Sequence, residues 1–195
     1  AETEKALMED APWVYFFMLG MSGALGRIMP FIEPWAFTSV HFMSGAIRNL
    51  NLEQRLMLLM VTTEHDEIEE SLRDLKVPTN LIASCLKFNK LANLVNENKM
   101  EQGSLDNDHE TVFNILNELN AWKCQDQLRE MGVTLSMFNN REMAETFNLL
   151  MIGLMFANTA CFDSLTAEQK STLKGKEIGE AISALRKEML RDLFV

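Results

Sequence analysis

Residues Pro12 to Leu50 carry almost no charge. They read PWVYFFMLGMSGALGRIMP and then FIEPWAFTSVHFMSGAIRNL, and apart from Tyr15 their titratable side chains are Arg27, Glu33, His41 and Arg48. A surface helix shows one apolar stripe, whereas a segment apolar nearly all round is one covered on several sides. The stretch therefore predicts two buried helices back to back, around which the rest of the chain is arranged.

Gly20, Gly23 and Gly26 recur at every third position within it. On one continuous helix they would form a shallow trough, each glycine costing about 1 kcal/mol of helix stability relative to alanine. A trough suits close helix packing or the floor of a pocket for an apolar or planar ligand, with Phe16, Gly20, Gly23, Trp35 and Met43 as its walls. No strand precedes the glycines and no lysine follows them, so they do not form a phosphate-binding loop. A membrane hairpin is disfavoured as well. Trp13 to Gly26 gives only 14 residues before Arg27, and Pro30 and Pro34 then interrupt, whereas a spanning helix needs about 20 apolar residues in a row.

The chain of 195 residues is 47% hydrophobic and 24% charged, with four prolines and nine glycines. That is a globular composition with too few turn residues for a β-sandwich, and its Leu, Met, Ala, Glu and Lys content reads as all-α. The expected architecture is a single all-helical domain over 1–195. It is a compact bundle of seven to eight helices, with the buried apolar pair at about 12–50 and a buried central helix at about 141–161. The net charge of −10 argues against nucleic acid as a partner, because phosphate binding needs clustered Lys and Arg. The imbalance lies in residues 1–162, with 12 basic and 22 acidic side chains, while 163–195 carry six of each. Cys85, Cys124 and Cys161 have no metal-type spacing and read as free thiols in a reducing compartment. AETEKALMED is neither a signal nor a transit segment, and a cytoplasmic location is expected.

Along the chain, Asp10 is expected to cap a helix running from Pro12 to about Met29, and a further helix covers about 35–50. Asn51 with Gln54 makes an Asn-x-x-Gln capping box for a six-turn helix to Leu75. Its apolar stripe includes Leu56, Leu59, Val61, His65, Ile68 and Leu72, and its wet face Arg55, Asp66, Glu69, Glu70 and Arg73. Pro78 opens a helix to about Asn96, after which 96–107 reads as a flexible loop. A sixth helix starts at Asp106 or Asp108 and stops at Gly132. Asn139 with Glu142 opens the next, which is apolar all round from Phe147 to Phe156 apart from Asn148. Thr166 with Gln169, or Ser164, caps the last segment, where Gly175 and Gly179 are candidate kinks.

Chemistry has few places to sit. His65 and Glu69 share a helix face, and with His41, Glu64 and His109 they are the weak metal-site candidates. Helical di-iron sites use Glu-x-x-His from two helices, and neither copy is present. No GxSxG or Cys-His constellation occurs, and Glu67-x-x-Glu70 lacks a second acidic half. No cofactor is expected. Asp108-His109 ahead of an amphipathic helix resembles the Asp-His element of all-α maturation chaperones for redox enzymes; the likeness covers two residues, and no family is assigned from it. The 14 methionines fill irregular core gaps or form adaptable binding surfaces. Abundant apolar helix without a catalytic signature points to a non-enzymatic interaction protein. Such a protein would hold a protein partner or its own twin through an apolar groove and an acidic surface. The alternatives are a small-molecule sensor or carrier with a Met/Phe-lined pocket, and a metal-dependent enzyme using His41, Glu64, His65 or His109.

Overall fold

The computed structural model describes residues 2–30, 32, 45–61, 63–98, 108–138 and 140–194, with 45, 46 and 108 described by backbone alone. The described residues contain no strand and eleven α-helices. These are α1 (Glu2–Met8), α2 (Pro12–Met21), α3 (Leu25–Ile28), α4 (Leu52–Met60), α5 (His65–Asp74), α6 (Thr79–Glu97), α7 (Asp108–Glu118), α8 (Gln125–Leu135), α9 (Arg141–Ala157), α10 (Ala167–Thr172) and α11 (Lys176–Leu193). The all-α expectation holds. The count exceeds seven to eight because several expected helices are broken. None of the described helices is long and apolar enough to cross a membrane.

The chain groups into two compact units, the first formed by Ala1–Asn93 with Met131–Asn139 and the second by Leu94–Glu130 with Asn140–Val195. In the first, α4 is the most enclosed element: every residue from Gln54 to Met60 is buried. Its start is the expected capping box. Asn51 Oδ1 accepts from the Gln54 amide at 2.9 Å, and Gln54 Oε1 accepts from the Asn51 amide at 3.0 Å. Among the buried residues is Arg55, 2% exposed, which overturns its expected place on a wet face. Its Nε donates to the Leu50 carbonyl at 3.0 Å, Nη1 to the carbonyls of Leu7 and Glu9, and Nη2 to that of Arg48 at 3.2 Å. One guanidinium thus ties the end of α1, the 3-10 turn Gly45–Asn49 and the start of α4 together. Desolvation lowers its pKa, partly offset by Asp10.

The expected six-turn helix is two helices, because the chain breaks between Met60 and His65. Val61, Thr62 and Thr63 are β-branched, which lowers helix propensity locally. The carbonyls released by the break find another donor: Asn89 on α6, 1% exposed, gives its amide to Val61 O at 3.4 Å and Thr63 O at 3.1 Å. Then α5 buries Ile68, Ser71 and Leu72 and ends with Lys76 in the left-handed region, φ 57°. The Lys76 amide donates to Arg73 O and the Val77 amide to Leu72 O, the paired bonds of a Schellman motif.

The expectation of a buried apolar pair over 12–50 fails for α2. It buries Pro12 and Phe16 and leaves Val14, Phe17, Met18 and Met21 exposed. Nor does it run on to Met29: Gly23 has φ +72° in a turn between α2 and α3. The N-cap is Ala11 without a side-chain bond, not Asp10. The predicted helix over 35–50 lies mostly outside the described residues, as does the loop beyond Asn98.

In the second unit α7, α9 and α11 pack against one another. The central-helix expectation is corrected here too, since α9 buries one face (Met143, Thr146, Leu150, Gly153, Leu154, Ala157) and exposes Ile152, Met155 and Phe156. Gly153 permits the close approach. A Cβ there would lie 2.8 Å from Val112 Cγ1 and 2.9 Å from Leu190 Cδ2. The cap is Asn140, whose Oδ1 accepts from the Met143 amide at 3.2 Å, not Asn139. The expected helix from Asp108 to Gly132 is divided at Asn120, φ 49°, and its second part continues through Gly132 to Leu135. The Thr166–Gln169 capping box forms as expected. Gly175, φ +52°, is the N-cap of α11, while Gly179 lies within that helix.

Candidate functional site

The exposed side chains of α2 stand at positions 14, 17, 18 and 21, the i, i+3, i+4, i+7 pattern of a single helix face. Met18 is 61% and Met21 73% exposed. Apolar on this side as well as at Phe16, the helix has a covered flank and a bare one. Beyond the turn at Gly23, Ile28 on α3 is also exposed.

Two open clefts take in Val14 and Ile28. One of about 640 Å³ lies between α1 and α2, floored by Ala6, Ala11, Val14 and Tyr15 and edged by Glu2, Lys5, Glu9 and Asp10. The other, about 520 Å³, is lined by Arg27, Ile28 and Pro30 with Glu67, Glu70, Ser71 and Asp74 of the α5 segment. Val14 thus belongs to the first cleft and Ile28 to the second, and carboxylates predominate in both. On α5 the acidic side chains are exposed because Ile68, Ser71 and Leu72 occupy the only buried face.

A third recess, about 130 Å³, is walled by Leu7, Leu56, Leu59, Leu75, Pro78 and Leu81, with Glu4 at its edge. Pockets for drug-sized ligands run from about 300 Å³ upward. An apolar hole of about 150 Å³ holds a benzene-sized group. The recess therefore has room for one branched or aromatic side chain.

The pocket residues predicted from sequence do not come together. Phe16 is fully buried, Gly20 is half-exposed, and Gly23 sits in the turn where an added Cβ would meet nothing within 4 Å. None of the three lines the clefts just described. Trp35 and Met43 lie outside the described residues. Among the metal candidates, His41 is likewise outside them. Glu64 is the exposed N-cap of α5, Glu69 is engaged by Arg73, and His109 belongs to the second unit. Among the described residues no three His, Cys, Asp or Glu side chains are gathered as a metal site.

His65 is exposed rather than on a core stripe. Its Nδ1 stands 3.1 Å from Asn89 Oδ1. Both Asn89 amide hydrogens go to backbone carbonyls, so its oxygen is left to accept and His65 Nδ1 is the donor. The buried amide therefore fixes the ring's tautomer and orientation. Sequence pattern gave no sign of this pair, whose members are 24 residues apart.

The three cysteines are unpaired, with Cys85 buried, Cys124 half-buried and Cys161 exposed. Burial, reinforced by Glu53, pushes the Cys85 thiol up to about 12. Cys161 moves the other way, lowered chiefly by the backbone N–H of Asp163 and the Ser164 hydroxyl. In the second unit the Arg186 guanidinium lies over the Trp122 ring, 4.6 Å from its centroid, and the Trp122 indole N–H donates to Asn117 Oδ1 at 2.7 Å. Comparison of the chain with protein-family models, with curated proteins and with solved structures finds no match.

Proposed function

We propose that this chain is a non-enzymatic cytoplasmic interaction protein whose contact surface is the bare face of α2. The observation that carries this reading is the solvent exposure of Val14, Phe17, Met18 and Met21 on one helix face. Monomers seldom expose contiguous apolar patches larger than a few hundred Å², and fully burying a side chain of this kind stabilises by about 1.5–3 kcal/mol. Covering the face therefore favours association. Methionine supports the same reading, since its flexible thioether adapts to partners of varied shape. The unpaired cysteines, one of them exposed, support a reducing compartment. The excess of carboxylates speaks against a nucleic-acid partner.

The test is a photo-crosslinking side chain placed at Met18, with the exposed Gly179 of α11 as the control position. Irradiation in cells is expected to give a discrete adduct from position 18, either a second copy of the chain or another protein, which excess unlabelled protein competes away. The absence of a position-specific adduct would end this reading.

A further inference from the structure

The charge around α2 indicates what kind of molecule covers it. The row from Val14 to Met21 spans roughly 10 Å, two turns of helix. It is itself uncharged; Val14 at its start lines one net acidic cleft, and Ile28, on α3 beyond the Gly23 turn, lines another. At the Val14 end stand Glu2, Glu9 and Asp10, answered by Lys5 on Glu2 at 3.3 Å and by Arg48 on Asp10 at 3.7 Å. Both ion pairs are solvent-exposed and so worth little. In the cleft beside Ile28 stand Glu67, Glu70 and Asp74 against Arg27.

We infer that the bare face of α2 binds a basic amphipathic helix of another protein, with its apolar side on Val14, Phe17, Met18 and Met21 and its Lys or Arg side chains directed into the two acidic clefts. The inference rests on the reading of α2 as a contact surface and narrows it to one partner chemistry. An amphipathic helix laid on an apolar strip is recognised through anchors at i, i+3, i+4 and i+7, the spacing α2 itself displays. Met18 within the strip and Met21 at its end tolerate varied anchors, while nearby carboxylates select for positive charge and speed the encounter. A second copy of this chain fits less well. A two-fold contact through the strip sets each acidic cleft against another acidic surface. An anionic membrane is repelled by the same groups.

The experiment uses the whole 195-residue chain and a fluorescent leucine–lysine peptide with leucines at i, i+3, i+4 and i+7. Its leucine–glutamate counterpart and phosphatidylserine-containing vesicles serve as comparisons. Binding of the lysine peptide is expected to be at least tenfold tighter than that of the glutamate peptide. The exposed double variant Met18→Glu with Met21→Glu should weaken it tenfold or more while leaving the helical signal and melting temperature in place. Glu67→Lys with Glu70→Lys should weaken it and flatten its salt dependence. Equal affinity for both peptides, wild-type affinity in the methionine variant, or preference for the vesicles would overturn the inference. A homodimer that Met18→Glu dissolves, without peptide binding, would overturn it and leave α2 as a contact surface. Loss of both the peptide and the position-18 crosslink would remove the broader reading as well.

Discussion

Arg55 Nη1 donates to the carbonyl oxygen of Glu9 at 2.8 Å, across 46 residues of sequence. With the bonds to Leu7, Arg48 and Leu50 it satisfies carbonyls at the end of α1, in the Gly45–Asn49 turn and just before α4 by one buried cation. Arg55→Ala would leave those oxygens without their donor, and the expected loss is about 3 kcal/mol or more. Arg55→Lys should recover little, since an ammonium lacks the planar fork. Arg73→Ala, which removes only the exposed pair with Glu69, should cost about 0.5 kcal/mol or less. Urea unfolding midpoints of the three variants check the order.

Two left-handed residues behave oppositely under substitution. Lys76 closes the Schellman turn after α5 at φ 57°, where glycine is the least strained residue. Lys76→Gly is expected to raise stability by about 0.5–1 kcal/mol. Gly175 at φ +52° has open space around it, yet Gly175→Ala should cost about 1–2 kcal/mol through backbone conformation alone. Thermal melts of both variants suffice.

At Gly153 the obstacle is packing instead. A methyl there meets Val112 and Leu190 below 3 Å. Helix propensity favours alanine by about 1 kcal/mol, but overpacking costs about 1–3 kcal/mol. Because both obstructing atoms are side-chain ends that can shift, Gly153→Ala should destabilise by about 1 kcal/mol net. Gly153→Leu should cost considerably more. Alanine at Gly179, where a Cβ meets nothing within 4 Å, should stabilise.

The cysteines give a pH signature. Cys85 is raised in the folded chain from 9.0 to about 12, so the folded state holds its proton more tightly than the unfolded one. The resulting stability is fully present below about pH 9 and is lost as pH rises toward 12. The alkaline fall in unfolding free energy should be smaller in Cys85→Ala than in the parent. With a thiol-reactive disulfide reagent near neutral pH, Cys161 should label first, because it is exposed and its thiolate is stabilised by local donors. Cys85 should label only on unfolding.

Local chemistry was legible in the sequence wherever neighbours in the chain supply both partners. The Asn51–Gln54 box and the start of a helix after Pro78 formed as expected, Thr166–Gln169 is the one of the two offered caps that forms, and α5 buries Ile68 and Leu72 of its expected stripe but not His65. What could not be read depends on distant groups. Arg55 looked like a surface cation because its acceptors are backbone carbonyls, which every sequence offers and no motif marks. The helix break after Met60 is stabilised by Asn89, 26 residues beyond Thr63. The apolar all-round character of α2 and of Phe147–Phe156 reported hydrophobicity correctly. It did not report coverage, and both helices leave apolar side chains in solvent.

The first compact unit takes Met131–Asn139 from far along the chain. Phe138 from that segment stacks on Phe88, with ring centroids 6.5 Å apart. During synthesis, at about 5–20 residues per second, residues Ala1–Asn93 are therefore made seconds before the segment that completes their unit. Until then Phe88 lacks the ring it stacks on in the folded unit. A nascent chain halted between Glu97 and Gln125 is, for that interval, a protein with an open seam.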